Sequence, residues 1–166
     1  LGWVDQADED LALHVFADAS FAECELTERS CTGIQAMAMS RLSRFPLDFV
    51  SKTQRIVSHS SSEAELIALD HAVRQIAIPL QIFFEVAFQK PFLYIHEDNQ
   101  AVLMMVKTGR NQNMRDCRKT HGIYIKKLKE LTEDKHTVML YEDTNQMVAD
   151  LHTKQFTSPQ KWTDLC

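Results

Sequence analysis

Four carboxylates stand where a charge is hard to keep: Asp18 in FADAS, Glu65 in SSSEAEL, Asp98 in YIHEDNQA and Asp150 in MVADLHTK. Each ends an apolar run or lies on an apolar helical pattern, where an unpaired charge is expensive to desolvate. Converging acids are stable when they share divalent cations, which take hard oxygen ligands and cancel the mutual repulsion. Such a set can run two-metal phosphodiester hydrolysis, with one cation activating the attacking water and the other stabilising the departing oxygen. The sequence offers no Ser-His-Asp or Cys-His constellation that would activate a nucleophile without metal. Taken singly, each acid also has an ordinary structural explanation. Asp18 at a strand end suits a turn. Glu63 and Glu65 both stand three residues after a serine, the capping-box offset. Asp150 suits the positive end of a helix dipole.

The elements that must position these acids follow from periodicity. Residues 11–18 alternate as a strand, with Ala12, His14, Phe16 and Asp18 on one face. The polar segment FAECELTERSCTG reads as a connection ending at Gly33. IQAMAMSRL and PLDFVSKT supply two more strands, so residues 11–54 predict an antiparallel meander. Serines 60–62 precede a helix whose stripe is Leu66, Leu69, Val73, Ile76 and Leu80, with a kink or break expected at Pro79. PFLYIHED is a strand that puts Phe92, Tyr94, His96 and Asp98 on one face. NQAVLMMVKTG is a short helix stopped by Gly109. Met114 to Leu131 carries one helical pattern through Cys117, His121, Tyr124, Ile125 and Leu128. HTVMLYED is a last strand and NQMVADLHTKQF a last helix. A meander leading into alternating helices and strands predicts an α/β protein with a mixed sheet and helices on its faces.

Composition sets the remaining bounds. The 166 residues, 45% of them hydrophobic and 25% charged, suit one globular domain. An uninterrupted apolar run of about 18 residues is not evident, so no membrane span is expected, nor a signal peptide. The four cysteines show neither CxxC pairing nor zinc-ligand spacing, and reduced thiols in an intracellular protein are expected. The first residue, Leu1, suggests a piece of a longer chain. Residues 1–10 read as an acidic leader or linker and 157–166 as a tail. Charge is unevenly spread. From Lys107 to Lys129 eight basic residues face one acid, Asp116, a balance of +7. Against a net charge of -5, the rest of the chain carries -12. A basic block on an acidic protein reads either as a phosphate-binding surface or as a solvated helical face.

In order and in their neighbours, the acidic signatures resemble the active site of the ribonuclease H family. SSSEAELIAL, EDNQAV, KTH and ADLHTKQF are similar in particular to the RNase H domain of copia-type LTR retrotransposon polyproteins. The resemblance covers about residues 11–156. It implies the RNase H-like fold, with a five-stranded mixed sheet, an antiparallel meander followed by parallel strands, and helices on both faces. It implies Asp18, Glu65, Asp98 and Asp150 as catalytic ligands of two Mg2+ ions, for which Mn2+ can substitute. Between the two glutamates, the alignment of AELIAL favours Glu65 as the ligand and leaves Glu63 as the cap. The implied reaction is hydrolysis of the RNA strand of an RNA/DNA hybrid, leaving 5′-phosphates, in a domain tethered to reverse transcriptase. Ser20, Ser61, Ser62, Asn99 and Gln100 are the candidates for 2′-hydroxyl contacts, and Arg118, Lys119, Lys126 and Lys127 for the phosphate backbone.

Two points depart from or extend that pattern. Cellular relatives carry a histidine in the loop before the last acid, whereas here that loop reads YEDTNQMVAD. Glu97, Glu142 and Asp143 add negative charge that would help to attract cations. The sequence also accommodates two alternatives. One is a hybrid-binding module that is inactive without an attached reverse transcriptase. The other is an integrase- or transposase-type core, which usually closes its acidic triad with glutamate where this chain has Asp150.

Overall fold

The computed structural model describes residues 11–22, 26–89, 92–110, 117–156 and 159–165. Its centre is a five-stranded sheet built from β1 (Ala12–Ser20), β2 (Cys31–Met39), β3 (Arg44–Thr53), β4 (Leu93–Glu97) and β5 (Thr137–Tyr141), in the order β3-β2-β1-β4-β5. The first three strands pair antiparallel, and β4 and β5 join β1 in parallel, which is the expected mixed sheet. β2 begins earlier than its sequence suggested. Cys31, Thr32 and Gly33 are already strand, and Gly33 pairs with Asp18 instead of closing a connection. Pro46 sits on the edge strand β3 beside a register shift at Ala36/Met37, where a missing N–H costs no ladder bond.

Alternation along the strands divides the apolar side chains between the two faces. Leu13, Val15, Ala17, Ile34, Ala36, Ala38 and Ile95 face the helices in the main core. Phe16 and Met37 face the other way and pack under Met147, Val148 and Ala149. On the main face lie α1 (Ser61–His71), a π-helical segment (Ala72–Ala77) and α2 (Ile78–Phe88), which follow one another without interruption. Pro79 therefore does not break the helix. Its missing N–H and its ring, which disfavour an α-turn, are absorbed by the wider π register just before it, in which the Ile78 N–H bonds to the Val73 carbonyl. The run Ser61–Phe88 is long and apolar enough to cross a membrane by length and composition, which sequence inspection did not anticipate. In this fold Leu66, Leu69, Val73 and Ile76 are buried against the sheet.

The remaining helices are α3 (Gln100–Thr108), α4 (Cys117–Thr120), α5 (Ile125–Thr132) and α6 (Pro159–Leu165). Asn99 caps α3 by accepting from the Ala101 and Val102 N–H groups, and Gly109 ends it at φ 67. Of the single helix expected over Met114–Leu131, residues 114–116 lie outside the described residues, and the rest is two pieces separated by Gly122, whose φ of 70 no helix accommodates. The helix expected over residues 145–156 is only a 3-10 turn, Val148–His152. Part of the stretch read as a tail forms α6, with Leu165 buried.

Candidate active site

β1 and β4 lie side by side in parallel, with Phe16 opposite His96, so Asp18 comes level with Asp98 just past the end of β4. Asp18 stands near the end of β1 and Asp98 follows the last residue of β4. Glu65 comes from the first turns of α1, on the main-core side of the sheet. Ligand oxygens of Asp18, Glu65 and Asp98 lie within 4.8 Å of one another. Asp18 and Glu65 are buried and Asp98 is half-buried.

The two candidate glutamates separate by direction. Ser60 is the N-cap of α1 and accepts from the Glu63 N–H, while the Glu63 carboxylate reaches back to the His59 N–H at 2.6 Å. The other Glu63 oxygen meets His121 Nε2 at 3.0 Å and Cys117 Sγ at 3.5 Å. Glu63 thus caps α1 and ties it to the start of the basic segment. Glu65, two residues on, points the other way, toward Asp18 and the end of β1. His121 is accounted for by its bond to Glu63.

Asp150 is fully buried on the 3-10 turn, and its carboxylate receives the Lys154 ammonium. Lys154 Nζ also lies 3.9 Å from Asp18 Oδ1 and so stands between the two acids. Asp150 is outside the group of three converging oxygens, although it adds to the field at Asp18. Thr153 donates a hydrogen bond to Asp18 Oδ2. This turn can approach because position 33 has no side chain. A Cβ on Gly33 would lie 2.4 Å from Thr153 Cγ2 and 2.8 Å from the Ala149 carbonyl oxygen. Thr153, Lys154 and Gly33 were not singled out as site residues from sequence. The threonine and lysine sit in the quoted ADLHTKQF motif, but nothing local marks a mid-strand glycine as a docking point.

The electrostatics of the cluster are strained. Burial, reinforced by Asp150 and Asp98, pushes the Asp18 carboxyl up to about 6 despite the Thr153 bond and Lys154. Burial, with Asp18 and Asp98 next, pushes Glu65 up to about 9, against a bond from the Ala19 N–H. Glu65 Oε2 has no hydrogen-bond partner among the described residues. An oxygen-only donor set with an orphaned buried carboxylate oxygen suits a hard divalent cation. Asp18, Glu65 and Asp98 would hold it, with Asp150 as the adjoining acid.

The loop before Asp150 has no histidine but supplies Thr144, which donates to Asp98 Oδ2 at 3.0 Å. His152 is turned to the sheet, where its Nε2 meets Gln35 Oε1 at 2.8 Å and its ring stacks on Phe49. Of the acids expected to attract cations, Glu142 is instead bonded to His96 Nδ1 at 2.6 Å, and His96 meets His14 at 2.9 Å. Asp143 is taken up by its own loop, accepting from Asn145. Glu97 does add to the cluster.

The candidate substrate contacts divide into two regions. Asn99 Nδ2 donates to Ser62 Oγ at 3.4 Å, bringing the N-termini of α1 and α3 together beside the acids, with Ser61 and Gln100 exposed there. Ser20 is buried, and its hydroxyl has no hydrogen-bond partner among the described residues. Lys126 and Lys127 are exposed on α5, and Lys119 is exposed on α4. Arg118 is on α4 too, but its side chain lies outside the described residues, as does all of Arg115.

Among solved structures, the chain is similar to LC11-RNase H1 from a compost metagenome. The TM-score is 0.58 at 13% identity, covering 86% of this chain and 92% of that one. It is similar also to the N-terminal RNase H domain of Rv2228c from Mycobacterium tuberculosis, with a TM-score of 0.55 at 11% identity, covering 86% and 91%. RNase H1 from the archaeon Halobacterium salinarum NRC-1 aligns with a TM-score of 0.50 at 13% identity, over 86% and 91%. The chain has the RNase H-like fold. No protein-family model matches it, and none of the curated protein sequences does. At these identities the likeness speaks for the RNase H-like architecture, and the chemistry rests on the side chains described above.

Proposed function

We propose that this chain is a metal-dependent ribonuclease H that hydrolyses the RNA strand of RNA/DNA hybrids. The observation that carries this reading is the convergence of Asp18, Glu65 and Asp98 within 4.8 Å where β4 ends beside β1. The hybrid as substrate is supported by a structural neighbour, LC11-RNase H1, solved in complex with an RNA/DNA hybrid, with a TM-score of 0.55 at 12% identity.

In this reading Asp18, Glu65, Asp98 and Asp150 hold two divalent cations, Mg2+ or Mn2+. The cations supply Lewis-acid activation of the attacking water and of the leaving oxygen. The protein's own share is placement. Thr153 and Thr144 fix the Asp18 and Asp98 carboxylates, and Lys154 offsets the charge between Asp18 and Asp150. Ser61, Ser62, Asn99 and Gln100 at the two helix N-termini face the 2′-hydroxyls, and Lys119, Lys126 and Lys127, with Arg118, take phosphates. SSSEAELIAL, EDNQAV and ADLHTKQF further support a copia-type retrotransposon origin, with the domain tethered to reverse transcriptase in an intracellular polyprotein.

The test is cleavage of labelled hybrid, single-stranded RNA and duplex DNA by the isolated chain with Mg2+ or Mn2+. Hybrid-specific cleavage that disappears in Glu65→Gln and Asp98→Asn, with hybrid affinity kept, is the expected result. Tight hybrid binding without cleavage would make this a binding module, and cleavage of duplex DNA alone would assign it to strand-transfer chemistry.

A further inference from the structure

The alternation of β4 sends Leu93 and Ile95 into the main core, and the next residue on that face is Glu97. It is 0% exposed. An apolar residue would fit there more favourably, because a carboxyl in a core is destabilising unless both oxygens find hydrogen-bond partners. Oε1 accepts from the Asn99 N–H at 3.2 Å, which gives half of the side chain a structural role at the start of α3. Oε2 is buried with no hydrogen-bond partner among the described residues. Its strongest electrostatic neighbour is Glu65, whose own Oε2 is orphaned in the same way, and Asp98 and Asp18 follow. Glu97 therefore backs onto the acid cluster from the core side. It is not one of the three residues whose oxygens converge within 4.8 Å, so it stands behind the ligand set and not in it.

We infer that Glu97 is an outer-sphere acceptor of the cation site, its Oε2 taking a hydrogen bond from water carried by the cation that Asp18, Glu65 and Asp98 hold. This rests on the cation-binding reading above. A cation such as Mg2+ keeps several of its waters when bound by few carboxylates, and those waters need acceptors in a buried site. Groups that act this way are typically worth 10–100-fold in metal affinity. Glu97 is a positioning residue in this account and touches neither substrate nor scissile bond.

The experiment is calorimetric titration of MnCl2 into wild type, Glu97→Gln and Glu97→Leu, with melting temperatures of all three in EDTA. Gln keeps the shape and the Asn99 bond but turns the second position into a donor. Leu removes the group and matches the other core residues of this strand. Both variants should bind Mn2+ about 10–100-fold more weakly. In EDTA, Glu97→Leu should melt at or above the wild-type temperature, since a buried carboxyl with one oxygen unsatisfied is replaced by an apolar side chain. Mn2+ affinities within about twofold of wild type in both variants overturn the inference while leaving the cation site standing. If wild type itself takes up no Mn2+, the cation reading fails and this inference fails with it. Should Glu97→Leu fold poorly, the isosteric Glu97→Gln still decides between these outcomes.

Discussion

Gly33→Ala adds one methyl group to the middle of β2, and the site should be sensitive to it. The backbone is no obstacle. Gly33 is not among the glycines with positive φ, so alanine fits the strand and would ordinarily stabilise it by about 0.4–1 kcal/mol. What opposes it is contact. The new Cβ would lie 2.4 Å from Thr153 Cγ2, 2.8 Å from the Ala149 carbonyl oxygen and 3.2 Å from His152 Cβ, where ordinary contact begins at 3.4 Å. Relief requires a shift of 1.0 Å at Thr153 (3.4 minus 2.4) and 0.6 Å at the Ala149 backbone (3.4 minus 2.8). Thr153 cannot simply rotate away, because its hydroxyl is bonded to Asp18. Ala149 moves the turn itself, and Asp150 with it. Overpacking of this kind costs about 1–3 kcal/mol, which exceeds the strand gain. A displacement near 1 Å of a catalytic group costs on the order of 100-fold in rate. Single-turnover cleavage of hybrid with Mg2+, beside a thermal melt, measures both. Gly122→Ala is the control, since nothing lies within 4 Å of its Cβ and its only cost is the φ of 70. It should lose about 1 kcal/mol with unchanged cleavage. A Gly33→Ala protein with wild-type rate and wild-type melting temperature would refute the account of how the turn is seated.

Three further outcomes follow from the same geometry. In EDTA the folded protein should lose stability as pH rises from 6.5 to 9. Asp18 and Glu65 are pushed up to about 6 and about 9, so the folded state holds protons that the unfolded state has released, and that stability disappears through the folded pKa values. His14 and His96, lowered by burial to about 4, act in the opposite sense only below pH 6.5, so this window is free of them. Melting curves at several pH values measure the slope, which Mg2+ should flatten, and a rising slope in EDTA would contradict the cluster's electrostatics. Glu63→Gln should cost about 1–3 kcal/mol in denaturant unfolding, through its bonds to His59, His121 and Cys117, while cleavage by the folded fraction persists. Loss of turnover in a fully folded Glu63→Gln protein would move the helical ligand from Glu65. Reversing Lys126 and Lys127 to Glu should weaken hybrid binding and lower the slope of log affinity against log salt by about 2. An unchanged slope would mean that the exposed face of α5 points away from substrate.

Sequence alone carried the element types and their order, because the signals are local. The period-2 run ending at Asp18, the apolar stripe of α1, the Asn99 cap and the Gly109 stop each depend on neighbours within a turn or two. The four acids stood out as candidates for the same reason, each lying in a short motif. Tertiary structure decided what depends on residues far apart in the chain. Glu63 and Glu65 share the same capping offset, and only the positions of His121 and Asp18 separate their roles. Thr153 meets Asp18 across 135 residues, and the contact exists because Gly33 lets the turn down onto β2. The helix expected around Asp150 shrank to a 3-10 turn, because packing on Phe16 and Met37 and bonding to β1 outweigh local helical pattern. In the sequence Glu97 reads only as one more acid beside Asp98 that helps to attract cations. Strand alternation in a packed sheet put it inside, where a charge needs a reason.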